Sequence, residues 1–243
     1  MRKNTMICLL GILTLTVGCG TALPQDLHNS GAAPRQFAVR LAAKARPIRV
    51  AFIGDEITSG YGATTTLATY HRQVELISRK EIKCLSYAGQ GMAVGRTAKR
   101  PFKKDILHDY SLTTKPDLYV IMLGVNDAAN PQWSRDMFKR DYLEIIHAYQ
   151  SLAHKPRVVL CLTPWVREQN PYNADCAILK QVNATIAEIA REAGLPLIDM
   201  WTKTETIMAA STDAQGYPTN EAHSEMANIV FAEIGQYRSI RTL

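Results

Sequence analysis

The sequence predicts an α/β fold in which a five-stranded parallel sheet is covered by helices on both faces. Short apolar runs alternate along the chain with longer segments of helical periodicity, which is the pattern of βα units. The first run, residues 48–53, is continuously apolar except for Arg49, as expected of a strand buried on both faces. A chain of 243 residues that is 47% hydrophobic and 21% charged suits one domain with a sizeable core.

Five strands and four long helices follow from these patterns. The predicted strands cover residues 48–53, 82–87, 118–123, 158–162 and 197–200. The predicted helices cover residues 70–79, 137–152, 174–193 and 220–237. Gly194 and Pro196 indicate the end of the third helix. Because parallel strands end at one edge of a sheet, functional residues are expected directly after the first four strands.

The N-terminus predicts a signal peptide that ends in a lipidation site. Arg2 and Lys3 precede an apolar stretch, residues 7–17, which has the length of a signal core rather than of a membrane span. The four residues 16–19, Thr-Val-Gly-Cys, resemble a lipobox, although Thr16 stands where leucine is usual. The alternative is an ordinary secretory signal with a coincidental cysteine. We therefore expect a signal peptide at 1–18, a lipidated Cys19 with a tether at 19–47, and one domain at 48–243.

Charge and cysteine content argue against several classes of partner. The net charge is +6, but the basic residues are scattered and form only short clusters such as residues 99–104, so nucleic-acid binding is not expected. No spacing of cysteine and histidine suits a metal, and no cofactor is expected. Cys84 and Cys161 lie in apolar runs and are predicted to be core residues. Lipidation of Cys19 implies a place in the cell envelope, at the outer membrane if the source has one.

Five sequence blocks follow the predicted strands or close the domain. They are Gly-Asp-Glu-Ile-Thr-Ser-Gly-Tyr-Gly at 54–62, Ser-Tyr-Ala-Gly-Gln-Gly at 86–91, Gly-Val-Asn-Asp at 124–127, Thr-Pro-Trp at 163–165 and Gly-Tyr-Pro-Thr at 216–219. Their order, spacing and placement resemble the SGNH/GDSL hydrolases over residues 48–237. The resemblance implies a three-layer α/β/α, flavodoxin-like fold and ester hydrolysis.

In that family a serine attacks the ester, a histidine accepts its proton and an aspartate orients the histidine. Backbone N–H groups and an asparagine amide stabilise the oxyanion. The resemblance places Glu56 at the serine position, Tyr217 at the histidine position and Ala214 at the aspartate position, with Asp213 one residue away. The oxyanion donors remain.

These donors are Asn126 and Gly91, or Gly89 in place of Gly91. We hypothesise that the carboxylate of Glu56 reaches towards these donors, which would favour its ionised form. In the same hypothesis, Tyr217 donates its phenolic hydrogen to that carboxylate.

Two other residues were considered as replacements for the missing groups. Ser59 and His223 could form a displaced dyad, with residues 220–223 as a degenerate version of the histidine block. We expect instead that Ser59 caps the following segment and that His223 is packed behind the site. Asp55 is expected to support its turn, and Asp127 its loop.

The predicted site therefore consists of Glu56, Gly91, Asn126, Tyr217 and His223. The expected function is that of a catalytically impaired ester-hydrolase homologue, a binding or scaffold lipoprotein whose ligand is a glycan, an acyl group or another envelope protein. The alternative is an active esterase or acylhydrolase on acylated sugars or lipids with rearranged catalytic residues.

Overall fold

A parallel sheet forms the centre of the computed structural model, which describes residues 46–235. The strands of this part of the chain are β1 (Ile48–Gly54), β2 (Ile82–Ala88), β3 (Met92–Ala93), β4 (Arg100–Pro101), β5 (Leu118–Met122), β6 (Arg157–Cys161) and β7 (Leu197–Ile198). Five of them build the sheet in the order β2-β1-β5-β6-β7, with every pair parallel. The short β3 and β4 pair separately. The five-stranded parallel sheet is confirmed.

Helices connect the strands. They are α1 (Glu56–Ser59), α2 (Tyr70–Ile77), α3 (Ile106–Thr113), α4 (Arg135–Gln150), α5 (Cys176–Glu192), α6 (Met200–Ala210) and α7 (Asn220–Ile234), with two 3₁₀ turns at Thr66–Ala68 and Phe102–Lys104. Helices α2 and α6 both pack on α7, and α4 packs on α5. Helix α3 belongs with α4 and α5, because the Ser111 hydroxyl lies 2.9 Å from the Tyr149 hydroxyl of α4.

The two helix groups lie on opposite faces of the sheet. On β1, Phe52 packs edge-to-face on Tyr70 of α2, with ring centroids 5.6 Å apart. The preceding residue, Ala51, pairs in register with Tyr119 of β5, which stacks on Tyr149 of α4 at 3.8 Å. Since successive strand residues point to opposite faces, α2 and α4 cover different faces. The predicted three-layer α/β/α fold is therefore confirmed.

Element boundaries depart from the predictions in places that local capping explains. The last strand is two residues long, because Asp199 accepts a hydrogen bond from the Thr202 N–H at 2.9 Å and starts α6. Helices α3 and α6 were not predicted; both begin at an aspartate cap, Asp105 in the case of α3. Helix α7 ends at Ile234, whereas the prediction extended to residue 237, beyond the described residues.

Other predictions concern single residues and the N-terminal segment. Cys84 and Cys161 are buried core residues, and with Cys176 they are free thiols. The predicted signal peptide, Cys19 and residues up to 45 lie outside the described part of the chain. Within residues 46–235, no helix is long and apolar enough to cross a membrane.

Candidate functional site

The turn after β1 places Glu56 at the carboxyl edge of the sheet. Asp55 caps α1, since its Oδ1 accepts a hydrogen bond from the Ile57 N–H at 3.0 Å. Gly54 is required because a Cβ there would lie 2.0 Å from the Thr58 hydroxyl oxygen. Burial, together with the neighbouring charge of Glu56, raises the pKa of Asp55 well above its usual range. The predicted supporting role of Asp55 in this turn is observed.

The carboxylate of Glu56 lies between two hydrogen-bond donors. Its Oε2 accepts from the Gly91 N–H at 3.0 Å and from the Asn126 amide Nδ2 at 2.9 Å. The side chain is only 3% exposed. The geometry that the sequence hypothesis requires of Glu56, Gly91 and Asn126 is therefore present.

Gly91 presents its N–H from a loop that follows β2. Its φ of +75° lies in the left-handed region that favours glycine. Two contacts hold the preceding residue: Arg100 donates to the Gln90 carbonyl at 3.0 Å, and the Tyr61 hydroxyl donates to the Gln90 side chain at 2.9 Å. The loop that aims Gly91 at Glu56 is thus fixed from both sides.

Asn126 is oriented by the loop after β5. Besides Glu56, its amide donates to the Met92 carbonyl at 3.1 Å. The adjacent Asp127 is fully buried and accepts from the backbone N–H groups of Val94 and Gly95 at 2.9 and 2.7 Å. Burial raises the pKa of Asp127 to about 7, although these two donors oppose the shift. Asp127 therefore ties the Asn126 loop to the segment that follows Gly91, as predicted.

Tyr217 lies beside Glu56 but does not bind it as predicted. Among the described residues, no hydrogen bond joins the Tyr217 phenol to the Glu56 carboxylate, so that part of the hypothesis is wrong. Asp213 accepts the Tyr217 N–H at 2.9 Å, which makes Asp213 a support of the loop. Burial, followed by the charge of Glu56, raises the pKa of Tyr217. The Tyr217 phenol therefore lies near Glu56, but it packs against aromatic rings and makes no hydrogen bond to the carboxyl group.

Those contacts form an aromatic cluster of three tyrosines. The Tyr217 ring lies 5.2 Å from the ring of Tyr61 and 5.6 Å from that of Tyr172, in edge-to-face arrangements. Tyr61 is 37% exposed, whereas Tyr172 is buried and its hydroxyl has no hydrogen-bond partner. This tyrosine cluster borders the carboxylate of Glu56.

His223 and Ser59 do not form the alternative dyad. His223 is fully buried, its Nδ1 accepts the Tyr70 N–H at 3.3 Å, and its Nε2 lies 3.1 Å from the Tyr61 carbonyl. Burial lowers the pKa of His223. Ser59 is exposed and donates back to the Glu56 carbonyl at 3.0 Å, so the expectation that it caps the following segment is wrong. Both nitrogens of His223 are thus committed to backbone, and its inclusion among the catalytic residues is corrected to a packing role.

Three residues of the site were not predicted from the sequence: Tyr61, Gln90 and Tyr172. Tyr61 lies in the first block at residues 54–62, and Gln90 lies beside Gly91 in the second. Their positions inside these blocks could have identified them as site residues. Tyr172 lies in an irregular loop between β6 and α5, where neither periodicity nor a motif marks it. No group of three or more histidine, cysteine or acidic residues in the described range is arranged to hold a metal ion.

A parallel α/β sheet with two oriented N–H donors at its carboxyl edge is compatible with an ester-hydrolase fold. The chain belongs to the GDSL-like lipase/acylhydrolase family, whose model matches residues 52–223. It is 25% identical over 213 residues to an acetylxylan esterase of Xylanibacter ruminicola. That alignment covers 79% of this chain but 44% of the relative, so the chain spans less than half of that protein's length.

Solved structures share the fold. A lipase/acylhydrolase from Enterococcus faecalis superposes with a TM-score of 0.60 at 17% identity, covering 78% of this chain and 96% of that one. An acetylxylan esterase from Geobacillus stearothermophilus superposes with a TM-score of 0.59 at 20% identity, covering 77% and 94%. A psychrotrophic esterase from a Pseudoalteromonas species gives 0.60 at 13% identity, covering 78% and 97%.

Proposed function

We propose that the chain is a catalytically silenced member of this family that acts as a binding protein in the cell envelope. The observation that carries the proposal is the placement of the Glu56 carboxylate against the Gly91 N–H and the Asn126 amide. Those donors would otherwise receive the negative oxygen that forms when an ester is attacked. A carboxylate fixed there competes with that oxygen for the same hydrogen bonds.

The groups around Glu56 supply no substitute chemistry. Both hydrogen bonds of the Glu56 carboxyl group go to the Gly91 N–H and the Asn126 amide, and none joins it to a histidine of the described residues. Tyr217 is also unsuited, because its raised pKa keeps the phenol protonated at neutral pH and unable to accept a proton. The serine nucleophile and the histidine base of the family are thus both replaced, by Glu56 and Tyr217.

Binding remains compatible with this arrangement. The tyrosine cluster offers partly exposed rings, and a cavity of about 710 Å³ is lined by Pro171 and Gly216, the residues that precede Tyr172 and Tyr217 in the sequence. Aromatic rings beside convergent polar groups are typical of small-ligand sites. Lipidation at Cys19 would hold the domain at the membrane surface, with a glycan or acyl-bearing ligand as the partner.

The test is hydrolysis of short-chain nitrophenyl esters by the full chain in neutral detergent. Wild type should hydrolyse them no faster than heat-denatured protein. Ser59→Ala and His223→Ala should leave that background unchanged. Clear wild-type turnover that falls with either substitution would contradict the proposal and would establish a working esterase with displaced catalytic residues.

A further inference from the structure

Glu56 is a buried carboxyl group without a cationic partner among the described residues. Its two hydrogen-bond donors, the Gly91 N–H and the Asn126 amide, are neutral. None of the ion pairs among residues 46–235 includes Glu56, although its side chain is only 3% exposed. A buried carboxylate without a counter-charge is costly, and neutral donors compensate only part of its desolvation. A ligand that carries a positive charge would therefore complement the carboxyl group of Glu56.

One carboxylate oxygen is available for that ligand. Both hydrogen bonds go to Oε2, and Oε1 accepts none from the described residues. The fully buried polar atoms without a partner in this part of the chain belong to His71, His108, Trp133, Tyr142 and Tyr172. Oε1 of Glu56 is not among them, so it retains access from outside. A donor arriving at the site would meet this oxygen.

The tyrosine cluster is suited to a cationic donor. Tyr61 and Tyr217 are both partly exposed, and their rings lie edge-to-face with centroids 5.2 Å apart. The hydrogen bond from Tyr61 to Gln90 fixes its ring next to the Gly91 loop. Aromatic faces attract ammonium groups through the negative potential above the ring. Rings and carboxylate oxygen thus favour the same kind of charge.

The local electrostatics agree with this geometry. Burial is the largest cause of the raised pKa of Tyr172, and the nearby carboxyl groups of Asp55 and Glu56 add to it. Glu56 and Asp213 act in the same direction on the pKa of Tyr217. Acidic side chains therefore lie near the tyrosine cluster, which suits a cationic ligand better than an anionic one.

We propose that the site binds a small polar ligand through a protonated primary amine, which donates to Oε1 of Glu56 and lies against the rings of Tyr61 and Tyr217. The inference rests on the proposed binding function and specifies the chemistry of its ligand. Two envelope sources share this chemistry, an amino sugar and an ethanolamine headgroup.

The experiment is calorimetric titration of the full chain, in neutral detergent at slightly acidic pH, with glucosamine, ethanolamine, glucose and glucuronate. At least one amine should bind roughly tenfold or more tightly than glucose, and glucuronate should bind least. Binding of glucosamine alone assigns an amino sugar, whereas equal binding of ethanolamine assigns the headgroup.

Variants test the assignment to these residues. Glu56→Gln should abolish the preference for the amine over glucose, and Tyr61→Ala should weaken amine binding several-fold. Glu205→Gln, which removes an exposed carboxylate from α6, is the matched control and should bind as wild type does. Thermal unfolding verifies that each variant is folded.

Two results would overturn the inference. If glucose binds as tightly as the amines, the site recognises neutral hydroxyl groups; the binding function then stands and the ammonium assignment fails. If neither amine binds to folded wild type, the assignment also fails. Failure of the proposed function itself would be distinguished by ester hydrolysis in wild type, which these titrations do not measure.

Discussion

The side-chain amide of Asn126 donates a hydrogen bond to Oε2 of Glu56 across 2.9 Å, and the Gly91 N–H donates to the same oxygen at 3.0 Å. Two donors converging on one anionic oxygen is the arrangement that stabilises an oxyanion during ester hydrolysis. Here the oxygen belongs to the protein itself. Glu56 therefore makes the same hydrogen bonds that would stabilise a reacting substrate.

The Asn126–Glu56 contact should stabilise the native state measurably. Asn126→Ala should lower the free energy of unfolding by about 1.5–3 kcal/mol, because it removes a hydrogen bond to a charged, buried acceptor. In a Glu56→Ala background the same change should cost clearly less, since the acceptor is already gone. Urea unfolding of the four proteins in this cycle gives the coupling. Strictly additive effects would mean that the two side chains do not interact in solution.

The loop after α1 and the loop that carries Tyr217 should be able to approach each other only because residue 62 is glycine. Its φ is +83°, and a Cβ there would lie 2.2 Å from the Pro218 carbonyl oxygen. Gly62→Ala should destabilise the protein by more than about 3 kcal/mol, since steric overlap with backbone adds to strain. Gly194→Ala is the control: its φ is +62° but the space around it is open, so about 1–2 kcal/mol is expected. Equal effects on thermal unfolding would argue against the close approach of these loops.

Because of His71, the free energy of unfolding should fall as the pH becomes acidic. Burial lowers its pKa from 6.5 to about 4, so the neutral ring is favoured in the folded state. The contribution of His71 to the free energy of unfolding is fully present above pH 6.5. It is lost as the pH falls towards 4, and the loss amounts to about 3 kcal/mol. His71→Phe should flatten the dependence of unfolding free energy on pH over that interval.

A matched substitution controls for the loss of any histidine. His147→Phe, at an exposed position of α4, should keep the pH dependence of wild type. If His71→Phe keeps the wild-type slope as well, His71 is not the group that titrates.

Cys19 should determine membrane attachment. Cys19→Ala should abolish incorporation of labelled palmitate and release the protein from the membrane fraction, because the acyl chains supply the anchoring free energy. Cys8→Ala, within the apolar core of the signal, should change neither readout. A Cys19→Ala protein that still takes up label would show that the lipid is attached elsewhere or that the segment is not a lipobox.

The fold could be predicted because local sequence marks its strands, and the contacts of Glu56 were expected from the resemblance to the SGNH/GDSL hydrolases. Apolar runs mark strands such as residues 48–53, and the blocks at 54–62 and 124–127 place Glu56 and Asn126 at the ends of neighbouring strands. The side-chain direction of Glu56 then follows from the turn. Backbone-determined features were therefore accessible without a structure.

The contacts of the Tyr217 ring could not be predicted, because the family resemblance describes a histidine at that position. Tyr217 was expected to bind Glu56, but its ring packs between Tyr61 and Tyr172, and the latter comes from an irregular loop. The choice between hydrogen bonding and ring packing depends on how the loops meet, which neither spacing nor periodicity encodes. Helix α3 was missed for a related reason, since its short sequence lacks a regular apolar stripe and it begins at the Asp105 cap.

The most direct test of the silenced-site account is restoration of the missing groups. Nitrophenyl acetate hydrolysis should be measured for wild type, Glu56→Ser/Tyr217→His, and the same pair with Ala214→Asp, each verified to be folded. The account predicts no wild-type activity, measurable activity in the double variant and more in the triple variant, because the vacated donors would then bind the oxyanion. Wild-type turnover that Glu56→Ser abolishes would contradict the account, since Glu56 would then be a working catalytic group.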